Sequence, residues 1–229
     1  MGIPEHYSRD IAHRCQALIR HLRPLVQKGL PDDGAFGGPL DTTFLLAMAT
    51  PMIVLPVERI FKPMRPGADA PADDRELDPA LAGRVGDVLG PGRPFADAPF
   101  AVAGRWSYMP GARPFSLAAH WPYDLLDALA GDEARAEAGH APAQRIVLDL
   151  RNALAHGGVA YLDARGHQTD GQAAMLAFAS ARTARGRLTG FNILRIHQDD
   201  FFDFLMGWAD WLAAPRIADA LNRQDPLAA

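Results

Sequence analysis

The sequence predicts a mainly α protein: a kinked helical bundle with a small β-hairpin or three-stranded insertion just before a C-terminal helix. Three observations carry this expectation. Apolar residues recur at three- and four-residue steps over most of the chain. Between 158 and 196 the pattern changes to short strand-like runs separated by turns. A strongly apolar stretch around residue 50 holds two prolines, so the helix it forms must bend.

The bulk composition narrows the class. Hydrophobic residues make up 48% of the 229 and charged residues 22%, enough for a sizeable core in one domain spanning 1–229. A formal net charge of −4 excludes a bulk polycation, so any nucleic-acid contact must come from a local basic patch. The single cysteine, Cys15, leaves no intramolecular disulfide or Cys-rich zinc site and fits a reducing cytoplasm. The N-terminal MGIPEHYSRDIAHRC lacks the apolar region of a secretory signal. The longest apolar run, FLLAMATPMIVLPV (44–57), is shorter than the roughly 20 residues of a membrane span and is interrupted by proline, which reads as core.

Taken in order, residues 5–29 form the first helix, with Ile11, Cys15, Leu18, Leu22 and Leu25 or Val26 as its apolar stripe. Its polar side carries Arg9, Arg14, Arg20, Arg23 and Lys28 against Glu5 and Asp10, a solvated face or a phosphate-contacting one. PDDGAFGGPLD (31–41) is turn chemistry, after which Asp41 or Thr42 caps a second helix running to about Lys62. That helix is apolar nearly all round and belongs at the centre of the fold, bent by Pro51 and Pro56. Residues 63–114 hold nine of the 19 prolines and read as an irregular surface excursion containing one helix, 78–90, with Asp78 as cap and Pro79 at its first position. Helical signals return at 115–129 and 131–138, then at PAQRIVLDLRNALAH, closed by Gly157. GVAYLDARG (158–166), AAMLAFASAR (173–182) and GFNILRI (190–196) are the strands. HQDDFFDFLMGWADWLA (197–213) is a strong amphipathic helix capped by Asp199 or Asp200, with Phe201, Phe204, Leu205, Trp208 and Trp211 or Leu212 buried.

The chemistry concentrates in RNALAHGG, 151–158. At about 100° per residue, Arg151 and His156 lie roughly 140° apart around a helix, while Asn152 and His156 share a face. The end of the helix favours a cation, and the two glycines leave room for a substrate or a second protomer. A histidine there can move the proton of a ribose 2′-hydroxyl, an arginine can hold phosphate oxygens as charge builds, and an asparagine can orient either; no metal or cofactor is required. The same three residue types also make a good capped helix end with no catalytic role.

VLDLRNALAHGGVAYLD resembles the signature segment of the HEPN superfamily, an arginine followed after four to six residues by a histidine, often beginning Arg-Asn. DTTFLLAMATPMIVLPVERI resembles the second helix of a bacterial branch of HEPN nucleases. The resemblance is clearest over about 40–62 and 145–165. It implies a helical bundle that homodimerises so that two Arg/His motifs meet, and a metal-independent endoribonuclease acting on RNA through 2′-hydroxyl attack, as a toxin or phage-defence effector with a possible antitoxin or regulatory partner. Carried onto this chain, Arg151 and His156 are catalytic and Asn152 assists. Some family members carry a modifiable tyrosine two residues after the histidine; here that place is Gly158, and Tyr161 lies three further on. Many members are not enzymes, which leaves a non-catalytic module binding a nucleotide, RNA or protein as the alternative.

Other candidates carry less weight. His197 with Asp199, Asp200 and Asp203 offers metal-ligand chemistry or a helix N-terminus with acids on its dipole. ARTARGR (181–187) is a solvated hairpin turn or an RNA-backbone contact. Trp106, Tyr108, Trp121 and Tyr123 can stack on bases or pack in a core. Cys15 reads as a small core residue.

Overall fold

The computed structural model describes residues 6–30, 33–36, 40–67, 70 and 72–214. Its helices are α1 (Tyr7–Gln27), α2 (Asp41–Pro56), α3 (Pro79–Leu89), α4 (Tyr123–Ala128), α5 (Asp132–His140), α6 (Ala143–His156) and α7 (Gln198–Ala213). Its strands are β1 (Ser107–Ala112), β2 (Val159–Leu162), β3 (Met175–Ala184) and β4 (Arg187–His197). The strands form one antiparallel sheet in the order β1-β4-β3-β2.

This overturns the expected fold class. With 54% helix and 17% strand among the described residues, and a four-stranded sheet, the protein is an α/β mixture, and a helical bundle with a hairpin describes only part of it. The missed strand is β1, which lies in the proline-rich 63–114 stretch and pairs with β4, Tyr108 opposite Leu194. That stretch is no surface excursion: Phe95, Phe100, Trp106 and Tyr108 are all buried in the main core. Trp106 and Phe100 pack edge-on against Phe204, 5.0 and 5.9 Å between ring centres. Proline and glycine density signals turns, but it says nothing of the aromatic residues between the turns, which follow the burial available. The expected 78–90 helix is present as α3, where Asp78 accepts a hydrogen bond from the Leu81 amide at 2.9 Å.

Side-chain alternation divides the sheet. Leu176, Phe178, Leu194 and Ile196 face the helical core with α2, α6 and α7. Ala177, Ala179, Phe191 and Ile193 face a second, smaller core with Trp121, Leu126 and Leu129. Arg185 and Gly186, both at positive φ, make the tight turn between β3 and β4.

The central helix behaves as its composition requires. Leu45, Ala49, Met52, Ile53 and Ile60 are completely buried. Beyond Pro56 the helix continues as a π turn, Val57–Phe61, and a 3₁₀ turn, Lys62–Met64. The stretch Asp41–Met64 is long and apolar enough to cross a membrane by length and composition alone; in this fold it packs against α1, α6 and α7. Proline at 56 has no N–H to donate to the Met52 carbonyl one turn back. The Trp208 indole donates to that carbonyl instead, at 2.8 Å.

Helix α1 is rotated relative to expectation. Ala12, Cys15, Ile19 and Val26 are buried, whereas Leu18, Leu22 and Leu25 are exposed. The buried side also holds Ser8, Gln16 and Arg23, each with a partner: Ser8 to Asp74 (2.7 Å), Gln16 to Asp210 (2.7 Å) and Arg23 to Asp41 (3.3 Å) and Asp199 (2.6 Å). Buried polar groups must be paired, so partners on other elements fix the phase of the helix. The same pairing reassigns two expected caps. Asp41 takes hydrogen bonds from Arg23, Gln27 and Gln198, and Asp199 binds Arg23; neither α2 nor α7 has a side-chain cap. Burial pushes the Cys15 thiol above its ordinary pKa, in keeping with an inert core residue.

Trp208→Phe keeps a smaller aromatic ring in place and leaves the Met52 carbonyl without a donor. The expected loss is about 1–3 kcal/mol, read as a lower midpoint in denaturant unfolding; an unchanged midpoint would show that the carbonyl finds another donor.

Candidate functional site

Helix α6 buries Ile146, Val147, Leu150 and Ala153 against α2 and β3, which presents its other side to a cleft of about 420 Å³. The opposite wall is the continuation of α2, contributing Glu58, Lys62 and Arg65. From α6 come Arg145, Asp149, Arg151 and Asn152. The site therefore exists because two helices that are distant in sequence pack together, and because the π and 3₁₀ turns after Pro56 carry Glu58 and Lys62 to that position.

The structure brings Arg151 and Asn152 together. Arg151 donates from Nη1 to Asn152 Oδ1 at 2.7 Å, and Asn152 Nδ2 donates to Ser180 Oγ on β3 at 3.3 Å. The Arg151 Nη2 pairs with Glu58, which also takes Lys62 at 3.0 Å. The buried Arg151 Nε has no acceptor among the described residues. Arg65 and Arg145 make no ion pair among the described residues. Four cations thus face one carboxylate on the rim.

His156 does not line the cleft; it is the last residue of α6, exposed, and without a hydrogen-bond partner among the described residues. By helical geometry it falls within roughly 20° of Arg145 and Asp149 around the axis, and about 6 Å beyond Asn152 along it. It therefore stands one turn past the cleft on the same side of α6, while Arg151 marks the opposite edge. The two glycines that follow are not equivalent. Gly157, at φ +70°, closes the helix by donating to the Ala153 carbonyl and has open space around it. At Gly158 a Cβ would lie 2.2 Å from the Ala179 carbonyl oxygen, so the expected room there is already filled by β3.

Sequence reasoning missed Asp149, only 3% exposed at the cleft floor. Its Oδ2 accepts from Tyr108 and from Asn192, both at 2.9 Å. Burial pushes the Asp149 carboxyl above its ordinary pKa, against the opposing effect of bonds from Tyr108, Ser180 and Asn192 and of the Arg145 charge. Burial and the Asp149 charge push the Tyr108 phenol far up. The Asn192 side chain also accepts from the Gly111 amide at 3.0 Å, so the carboxyl ties α6 to β1 and β4. An aspartate in an apolar helix face was the available signal: Asp149 stands between Leu148 and Leu150. A second groove of about 260 Å³ adjoins the cleft, sharing Arg145 and adding Arg182 beside Tyr108 and Gly111.

The remaining candidates resolve as follows. Asp199 balances Arg23, and among the described residues no three His, Cys, Asp or Glu side chains gather as metal ligands. Trp106, Tyr108 and Trp121 are buried, and Tyr123 is exposed with its ring edge-on to His167. Residues 181–187 are exposed throughout. No protein-family model matches the chain, and no curated protein or solved structure shows detectable similarity to it.

Asp149 yields a pH prediction. Its pKa is higher folded than unfolded, so the native state holds the proton more tightly. Its contribution is full below the ordinary carboxylate value and is lost as pH rises from there through the raised value. Asp149→Asn keeps an acceptor for Tyr108 and Asn192 and cannot titrate. Urea midpoints measured across pH should fall less steeply on the alkaline side in the variant than in wild type, and at neutral pH the variant should be no less stable. Parallel profiles would refute a raised pKa for this carboxyl.

Proposed function

We propose that the protein binds RNA along the cationic cleft and cleaves it without a metal. The observation that carries this is the cleft itself: Lys62, Arg65, Arg145 and Arg151 around a single rim carboxylate, with His156 one turn further along the same side of α6. Backbone phosphate is the ligand such a set attracts. The shared Arg145 extends the path into the second groove towards Arg182, giving a strand more than one phosphate contact.

In the proposed reaction the 2′-hydroxyl gives its proton to the His156 imidazole as the 2′-oxygen bonds to phosphorus. The phosphorus–5′-oxygen bond breaks, an imidazolium protonates the leaving oxygen, and a cyclic phosphate remains. Arg151 holds the charge that builds on the phosphoryl oxygens and Asn152 fixes its orientation. Because His156 stands exposed at the open end of the site, a second copy of the chain meeting it there would supply the second imidazole, and a homodimer is part of the proposal.

One observation favours a second reading, binding without cleavage: Glu58 already occupies Arg151, and His156 lies outside the cleft. The two separate in one experiment, RNA cleavage in excess EDTA with product ends mapped. His156→Ala should lower the rate by about 10²–10⁴ while leaving RNA affinity unchanged. Arg145→Ala should weaken binding and reduce the salt slope by about one, and Glu58→Gln should tighten it. Cleft-dependent binding with no cleavage of varied RNAs would establish the binding module instead.

A further inference from the structure

A second cationic pocket lies away from the cleft, at the end of the sheet face that carries the smaller core. It encloses about 140 Å³ and is lined by Arg105, Ser107, Arg135, Arg195, His197 and Asp200. Arg195 projects from β4 on the same face as Phe191 and Ile193, opposite Ser107 of β1. It is only 7% exposed. An arginine stays charged at any working pH, and a buried charge is costly unless it is paired. Yet Arg195 has no ion pair among the described residues and one hydrogen bond, from Nη2 to the Leu129 carbonyl at 2.8 Å. Its Nε and Nη1 have no acceptor there. The Ser107 hydroxyl, on a residue 4% exposed, likewise has no side-chain partner among the described residues.

The surroundings add positive charge. Burial and the neighbouring Arg135 charge both depress the Arg195 pKa, as expected of a guanidinium held beside a like charge. Among the described residues Arg135 is otherwise engaged only with Asp132, whose carboxylate is 97% exposed. Arg105 reaches Asp200 at the long distance of 3.7 Å. Arg105 and Arg135 thus each have a carboxylate partner and Arg195 has none among the described residues, which leaves one positive charge in the pocket unopposed. The space of about 140 Å³ is sufficient for one tetrahedral anion.

We propose that the pocket formed by Arg105, Ser107, Arg135 and Arg195 binds a phosphate group. Arg195 and Arg135 supply forked N–H donors, Ser107 supplies a hydroxyl, and the unopposed charge of Arg195 beside two further arginines favours an anion. The pocket accepts free phosphate or the terminal phosphate of a longer molecule whose remainder stays outside. It shares no lining residue with the cleft, so it stands whether or not the nuclease proposal holds.

The test is calorimetric titration of the purified protein with inorganic phosphate at constant ionic strength, together with melting curves. Wild type and Arg151→Ala should both bind saturably and melt higher with phosphate. Arg195→Gln and the surface double variant Arg105→Ala/Arg135→Ala should bind at least about tenfold more weakly. The double variant carries the test if Arg195→Gln fails to fold. In phosphate-free buffer a folded Arg195→Gln should melt no lower than wild type, since it removes an unbalanced buried charge. Competition by a 5′-phosphorylated but not an unphosphorylated oligoribonucleotide would identify a terminal phosphate as the ligand; failure of both to compete would identify the free ion. Absence of saturable binding to wild type, or binding lost only on Arg151→Ala, overturns the proposal.

Discussion

The Met52 carbonyl is left open by its own helix, because the residue that should donate to it is Pro56, and the Trp208 indole closes it. Around that bond the helical layer is organised. It joins the most apolar helix of the chain to α7, whose Phe201, Phe204, Trp208 and Trp211 form an aromatic cluster with Phe100 and Trp106. It also lets α2 pass through Pro56 without stopping. The π and 3₁₀ turns that follow set Glu58 and Lys62 against α6, so the wall of the cleft depends on how the helix survives its proline.

A second constraint is the buried carboxyl of Asp149. Tyr108 from β1 and Asn192 from β4 both donate to it, and Asn152, one turn along α6, reaches Ser180 on β3. The polar residues of α6 thereby fix the helix on the sheet and aim Arg151 at the cleft. Left unpaired in this interior, each of those groups would cost about 1–3 kcal/mol, so the helix cannot rotate or slide without breaking several at once. The geometry of the candidate site is inherited from this packing rather than from the Arg151–His156 spacing, which on a regular helix separates the two side chains.

Much of the local organisation was legible in the sequence. The helices at 78–90, 142–156 and 197–213, the strands within 158–196 and the glycine closure at Gly157 follow from periodicity and turn chemistry. So does the proximity of Arg151 and Asn152, adjacent on one helix. The failures share a cause. Strand β1 was hidden among prolines because its partner, β4, lies some 80 residues later and pairing between distant segments leaves no local pattern. The face of α1 was misassigned because the helix offers two usable apolar stripes, and only the partners of Ser8, Gln16 and Arg23 select between them. Glu58, Lys62 and Arg65 gave no sign of belonging to the site, since nothing in their own neighbourhood places them opposite α6.

The sequence by itself determined where the chain is helical, where it turns, which helix must be central, and that arginine, asparagine and histidine gather at one helix end. These follow from short-range sterics and hydrophobic periodicity, which act within a few residues. Tertiary structure alone decided that a fourth strand completes the sheet, that Arg151 faces Glu58 while His156 faces solvent, and that Arg195 is buried beside Arg135 with no carboxylate partner among the described residues. Those outcomes depend on which charges and surfaces meet across the fold, and burial sets the strength of such pairings only after the distant segments have come together.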